Sequence, residues 1–276
     1  MNNKIIFLII FILYSVEYKV QAQGEILITP SRIVFNPKIN KEILNLLNTG
    51  KKSETYLVSF VQKRMNENGS FTEVTTPDPG ENFASPHLRI YPRRITLKPG
   101  EGQVVMLQRR RNNNLQTGEY RSHLYFRSTT DYSALGETKI DSVAGVSVQL
   151  IPVFGMTIPI IFRSGKVNTT VTLTDLKLKN TKDSKNINFT LNRSGNSSIY
   201  GDMTVQYMPL KGNPITIAAI NGVAIYTTIN RRFMSINVIK KPSINYEEGK
   251  IKIIYKSRQD NSKQEVFATS TLNLSN

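Results

Sequence analysis

Few side chains in this sequence are of a kind that does chemistry. The two histidines, His87 and His123, fall in separate strand-like segments. A histidine works as a catalyst only beside a positioned nucleophile or acid, and nothing in the sequence pairs either one with such a group. Carboxylates are sparse and dispersed. Asp78 and Glu81 flank a Pro-Gly turn, and Glu247-Glu248 stand before Gly249. Carboxylates in turns ordinarily bond backbone N–H groups; a glycosidase pair would need two of them facing one cleft. There is no P-loop, dinucleotide fingerprint or Ca²⁺ loop spacing. Cysteine is absent, which removes thiol catalysis and most structural zinc sites. The expectation is a protein that is not an enzyme, with no catalytic residue, metal, cofactor or small-molecule substrate.

The charge is strongly basic, formally +16, which favours acidic partners. Most basic residues are scattered through strand-like segments. Only Arg109-Arg110-Arg111 forms a run, beside three asparagines. A nucleic-acid patch would interleave aromatics there, so the run reads as a solvated loop after a strand and no nucleic-acid partner is expected.

The elements that would carry these residues are strands. The chain opens with Lys4 and the apolar run IIFLIIFILY, then Val20-Gln21-Ala22 before Gln23. That is the layout of a secretory signal peptide over residues 1–22. The run is about half the roughly 20 residues that cross a bilayer as a helix, so the mature chain is expected to be exported and not membrane-spanning. With no cysteine it has no disulfide staple and stands on packing alone. Runs rich in Val, Ile, Thr, Phe and Tyr recur between Gly, Pro and Asn clusters, as in sandwiches of antiparallel strands. Strands are predicted at 25–29, 32–35, 41–47, 55–64, 87–91, 94–97, 103–109, 118–127 and 143–162. A second series follows at 170–179, 186–191, 199–208, 215–217, 223–229, 233–239, 250–256 and 265–274. Turns are predicted at Asn48-Thr49-Gly50, Asn66 to Gly69 and Lys98-Pro99-Gly100. The fold class is all-β, with two β-sandwich domains at 23–163 and 164–276.

The run 143–162, VAGVSVQLIPVFGMTIPIIF, is too long for an ordinary strand. Val146, Val148 and Leu150 alternate with Ser147 and Gln149. Pro152 and Pro159 suit an edge or a bulge, and Gly155 suits a bulge. Two readings stand side by side: an apolar edge strand left open to pair with another chain, or a central strand followed by a connector.

Here the sequence resembles the periplasmic chaperones of the chaperone–usher pathway for pili. The resemblance runs through the first domain in order: Pro30-Ser31-Arg32-Ile33-Val34-Phe35, Leu46 to Gly50, Leu57 to Val61, Pro86 to Pro92, Ile95 to Gly100, Glu119 to Arg127 and Ile158 to Arg163. The second domain matches in class and length only. The resemblance implies two immunoglobulin-like sandwiches in a boomerang arrangement with a cleft between them. It implies a periplasmic chaperone that lends its seventh strand to pilus (fimbrial) subunits by donor-strand complementation and delivers them, with an outer-membrane usher as further partner. Val146, Val148, Leu150 and Phe154 would fill the subunit groove. Arg32 matches the arginine that anchors the subunit's terminal carboxylate. The lysine that shares that task falls on Pro159, a departure, and Arg163 matches a residue of the domain junction. The loop between Arg127 and Val143 lacks a cysteine pair and looks closer to the short-loop type. The alternative reading is a structural or adhesive surface protein, a pilin or adhesin; a pilin would show an incomplete first sandwich.

Overall fold

The computed structural model describes residues 26–110, 114–129, 155–180, 184–239, 244–258 and 264–274. The expected signal segment 1–22, Arg111, and the groove-filling residues Val146, Val148, Leu150 and Phe154 lie outside them. Among the described residues the chain is all-β apart from one short 3₁₀ turn, and no helix is long and apolar enough to cross a membrane.

Among the described residues, twelve strands build the first half: β1 (Ile26–Thr29), β2 (Ile33–Val34), β3 (Lys41–Asn48), β4 (Glu54–Val61), β5 (Lys63–Met65), β6 (Phe71–Glu73), β7 (Asn82–Phe83), β8 (Leu88–Tyr91), β9 (Arg94–Leu97), β10 (Gly102–Arg109), β11 (Gly118–Ser128) and β12 (Gly155–Ser164). One sheet has the order β1-β3-β10-β8 and the facing sheet β2-β12-β11-β4-β9, with β7 beside β11. Period-two alternation explains the packing. In β3, Leu44 and Leu46 point inward while Ile43, Asn45 and Leu47 point out. They join Val105, Leu107, Leu124, Phe126 and Ile160 in one core, each such side chain contributing on the order of 1.5–3 kcal/mol by leaving water. Asn48 ends β3 with its amide bonded to Leu97 O at 2.9 Å and Lys52 O at 2.8 Å, while its carbonyl accepts from Gly50 N–H at 2.8 Å. The predicted Asn48-Thr49-Gly50 turn is thus held by its own asparagine.

Seven strands are described in the second half: β13 (Thr169–Asn180), β14 (Lys185–Gly195), β15 (Ile199–Met208), β16 (Ile215–Ile225), β17 (Arg231–Val238), β18 (Lys250–Ser257) and β19 (Val266–Asn273). A β13-β14-β17 sheet faces a β16-β15-β18-β19 sheet over a separate core that includes Leu191, Val205, Ile217, Ile251 and Tyr255. The passage between the two sandwiches is the short link from Ser164 to Thr169, through Gly165 at φ 66°, a left-handed turn that glycine adopts without strain.

Three local readings change. The run 55–64 is two strands broken at Gln62, and β5 pairs with β6 into a hairpin across the predicted Asn66–Gly69 turn; β6, at three residues, was too short to read from pattern. His87 closes the 3₁₀ turn Ser85–His87, where Pro86 fixes φ, and lies just ahead of β8. Gly155 is not a bulge, because the β11–β12 register is continuous from Gly155 to Ser164. Its missing Cβ instead leaves room for the Tyr125 ring lying over it.

Candidate functional site: the cleft between the sandwiches

β11 is the central strand of its sheet, and both its faces are buried. Tyr120, Leu124 and Phe126 enter the core, while Glu119, Arg121 and His123 alternate on the other face, toward the second sandwich. A run of polar residues at i, i+2 and i+4 would ordinarily face water. Here it makes the junction. Glu119 Oε2 accepts from Arg163 Nε at 3.1 Å, Ser198 N at 3.0 Å and Ser198 Oγ at 2.8 Å. Arg163 Nη2 also donates to Ser198 O at 3.2 Å, so Arg163 joins the two sandwiches, as its resemblance implied.

The β5–β6 hairpin is a second tie. Its tip residue Glu67 accepts at its backbone carbonyl from Phe233 N at 2.7 Å and at its carboxylate from Arg231 Nε at 2.6 Å. Beneath it, Met65 and Ile161 of the first sandwich pack with Ala224 and Tyr226 of the second.

Arg32 stands at the third tie. Its Nη1 donates to Tyr226 Oη at 2.7 Å, and its guanidinium lies 4.5 Å from the Tyr200 ring centroid and 5.4 Å from that of Tyr226. Such ring contacts hold a cation without neutralising it. Arg32, Pro159, Tyr200, Tyr226 and Arg232 line one cavity of about 180 Å³ that opens between the sandwiches. Pro159, the position of the missing lysine, therefore does face the same cavity as Arg32. Arg121 lies behind it, 6% exposed, 4.3 Å from the Tyr226 ring, with burial lowering its pKa. His123 sits opposite Pro159 in the β11–β12 register. Burial first, then the charges of Arg121, Lys63 and Arg32, hold its pKa down to about 3.

Among the described residues, the cavity lies at the end of an open sheet edge. β2 covers the outer side of β12 only at Ile160 and Ile161. Among the described residues, Gly155 to Pro159 have β11 on one side and no strand on the other. Arg32 immediately precedes the first paired residue of β2, Ile33. β2 thus closes the edge from Ile160 onward, with Arg32 at the boundary.

The residues first considered for chemistry are otherwise placed. Asp78 and Glu81 both pair with Arg64, at 2.8 Å and 2.6 Å, which employs them as an ion-pair cluster. His87 packs edge-on against Tyr120 and Phe162, and the Nδ1 of His123 is buried without a hydrogen-bond partner. Arg109 lies over the Phe162 ring and bonds Asn40 Oδ1 at 3.2 Å. With Lys41, Arg89 and Arg110 it lines a basic groove apart from the cleft. Sequence reading found Arg32 and Arg163 but missed Glu119, Arg121, Tyr226 and Arg232. The alternation Glu119-x-Arg121-x-His123 inside an otherwise apolar strand was the available signal.

No family model matches the sequence, and no curated protein matches it. Solved structures similar to the chain are fimbrial chaperones. The YadV chaperone superposes with a TM-score of 0.45 at 11% identity, covering 90% of this chain and 100% of that one. The CsuC–CsuE chaperone–tip subunit pre-assembly complex from the archaic chaperone–usher Csu pili of Acinetobacter baumannii gives 0.43 at 13% identity, covering 88% and 97%. The Salmonella enterica SafA pilin in complex with the SafB chaperone gives 0.42 at 11%, covering 89% and 97%.

Proposed function

We propose that this protein is a non-enzymatic periplasmic chaperone that binds pilus or fimbrial subunits by strand addition and delivers them to an outer-membrane usher for assembly. One observation supports the reading: the edge of β12, open among the described residues, runs into the cavity lined by Arg32 and Arg232. Main-chain pairing along an edge gives affinity that tolerates sequence, and alternate side chains choose the client. Val146, Val148, Leu150 and Phe154, upstream on the same run, are the side chains that would enter a client's open groove. A terminal carboxylate reaching Arg32 fixes the register, and a charge-assisted bond of this kind is worth roughly 1.5–3 kcal/mol.

The mature protein is to be co-expressed with secreted pilus subunits and captured, beside Arg32→Ala and Val148→Asp. Wild type is expected to retain small β-rich subunits. Arg32→Ala should hold them on the order of ten- to a hundredfold more weakly, and Val148→Asp should lose them. Equal retention by all three proteins, or none by wild type, refutes the assignment.

A further inference from the structure

Arginines at the junction fall into two groups. Arg163 and Arg231 each face a carboxylate, Glu119 and Glu67. Arg32, Arg121 and Arg232 belong to no ion pair among the described residues, and Glu119 and Glu81 act on Arg121 only at longer range. Their visible partners are a tyrosine hydroxyl, backbone carbonyls and aromatic faces. Two of their donors, the Nε atoms of Arg121 and Arg232, are buried with no hydrogen-bond partner. A buried cation without an anion is costly, and so is a buried donor without an acceptor. Arg121 is buried and Arg32 and Arg232 are half-buried; Arg32 and Arg232 line one small cavity, an arrangement that an anion completes.

Arg232 is held for this task. It extends from β17 of the second sandwich, and its Nη1 donates to Ala224 O. Its guanidinium lies flat against Gly69 at the tip of the β5–β6 hairpin, where φ is 84° and a Cβ would collide with it. Burial lowers its pKa. It lines the cavity together with Arg32, which belongs to the first sandwich. At about 180 Å³ the cavity admits a chain terminus and a small side chain, and not a folded partner.

We propose that Arg232 is the second cation of the carboxylate site, so that a client's terminal carboxylate is held jointly by the two sandwiches, Arg32 on one and Arg232 on the other. This rests on the reading of Arg32 as the anchor. It also explains how Pro159 is tolerated: the second charge comes across the cleft and not from β12.

The test uses the full mature protein and a synthetic N-acetylated, valine-rich pentapeptide, as the free acid and as the C-terminal carboxamide. Arginine Nε–H signals are followed by nuclear magnetic resonance through each titration. The free acid is expected to shift the Nε–H signals of both Arg32 and Arg232, and to bind at least tenfold more tightly than the carboxamide. That acid-to-amide ratio should fall at least threefold in Arg232→Gln and recover in part in Arg232→Lys. If Arg32 responds and Arg232 does not, the anchor stands and the role of Arg232 is overturned. If neither responds, the anchor itself is wrong and the proposal goes with it. The wild-type spectra carry the decision even where a substitution fails to fold.

Discussion

Replacing His123 by Gln and lowering the pH from 7 to 5 measures how dry and how positive the cleft is. His123 is 4% exposed on the junction face of β11, with the Phe71 ring edge-on at 5.7 Å and no partner for Nδ1. Burial, then Arg121, Lys63 and Arg32, hold its pKa at about 3, against about 6.5 in an unfolded chain. The sign follows from proton uptake. Below about pH 6.5 the unfolded chain binds a proton that the folded protein refuses until about pH 3. The stability that neutral His123 confers is therefore complete above pH 6.5 and is lost as the pH falls through that window. At pH 5, some 1.5 units below the unfolded value, the loss is about 2 kcal/mol at 1.36 kcal/mol per unit.

The assay is urea unfolding of wild type and His123→Gln at both pH values. His87, whose pKa is also lowered by burial and then by Arg110, contributes in the same direction, but it is common to both proteins and cancels. Wild type is expected to lose about 2 kcal/mol more than the variant between pH 7 and 5. Its ring signals should not titrate over that range in the folded protein. Equal losses, or a folded-state titration near pH 6, would show that water or a counterion reaches the imidazole and would refute the account of the cleft.

Glu119→Ala should destabilise the protein toward the lower end of the about 3–5 kcal/mol expected for breaking a buried pair, because Glu119 is fully buried while its partner Arg163 is a third exposed. Probes placed in the two sandwiches should then report separate urea transitions where wild type gives one. Gly201→Ala places a Cβ against the Lys256 carbonyl across the β15–β18 pairing, a backbone atom that cannot swing aside; a loss of about 1–3 kcal/mol is expected, read from the same urea curves.

The strands were legible because their side chains alternate and their ends carry turn residues. Lys98-Pro99-Gly100 turns as expected, with Gly100 at φ 73° and Glu101 N bonded to Lys98 O at 2.9 Å. Arg32 was singled out through motif resemblance, and it lines the cavity between the sandwiches. What pattern could not supply is long-range pairing. Arg32 meets Tyr226 194 residues on, Arg231 meets Glu67 164 residues back, and Ser198 meets Glu119 79 residues back. No local periodicity records which of two sandwiches a charged residue will face. The same limit hid Arg232, which reads in sequence as one of two basic residues opening an ordinary strand. β6, too, gives only three residues for alternation to act on.

Those long-range pairs bear on how binding is achieved. The Glu119–Arg163–Ser198 cluster, the Glu67 hairpin tip and the Arg32–Tyr226 contact tie the sandwiches at three separate places. Several ties hold one body on another, where a single tie would leave a hinge. Arg32 and Arg232 are therefore held across the cavity before any anion arrives. A site assembled in advance loses little conformational freedom on binding. On the proposed function, the β12 edge left open among the described residues would supply pairing indifferent to sequence, and the arginine pair would accept a chain that ends there. On that same function, the two together would select for an extended segment with a free carboxyl end over the interior of a folded chain that offers an edge but no terminus.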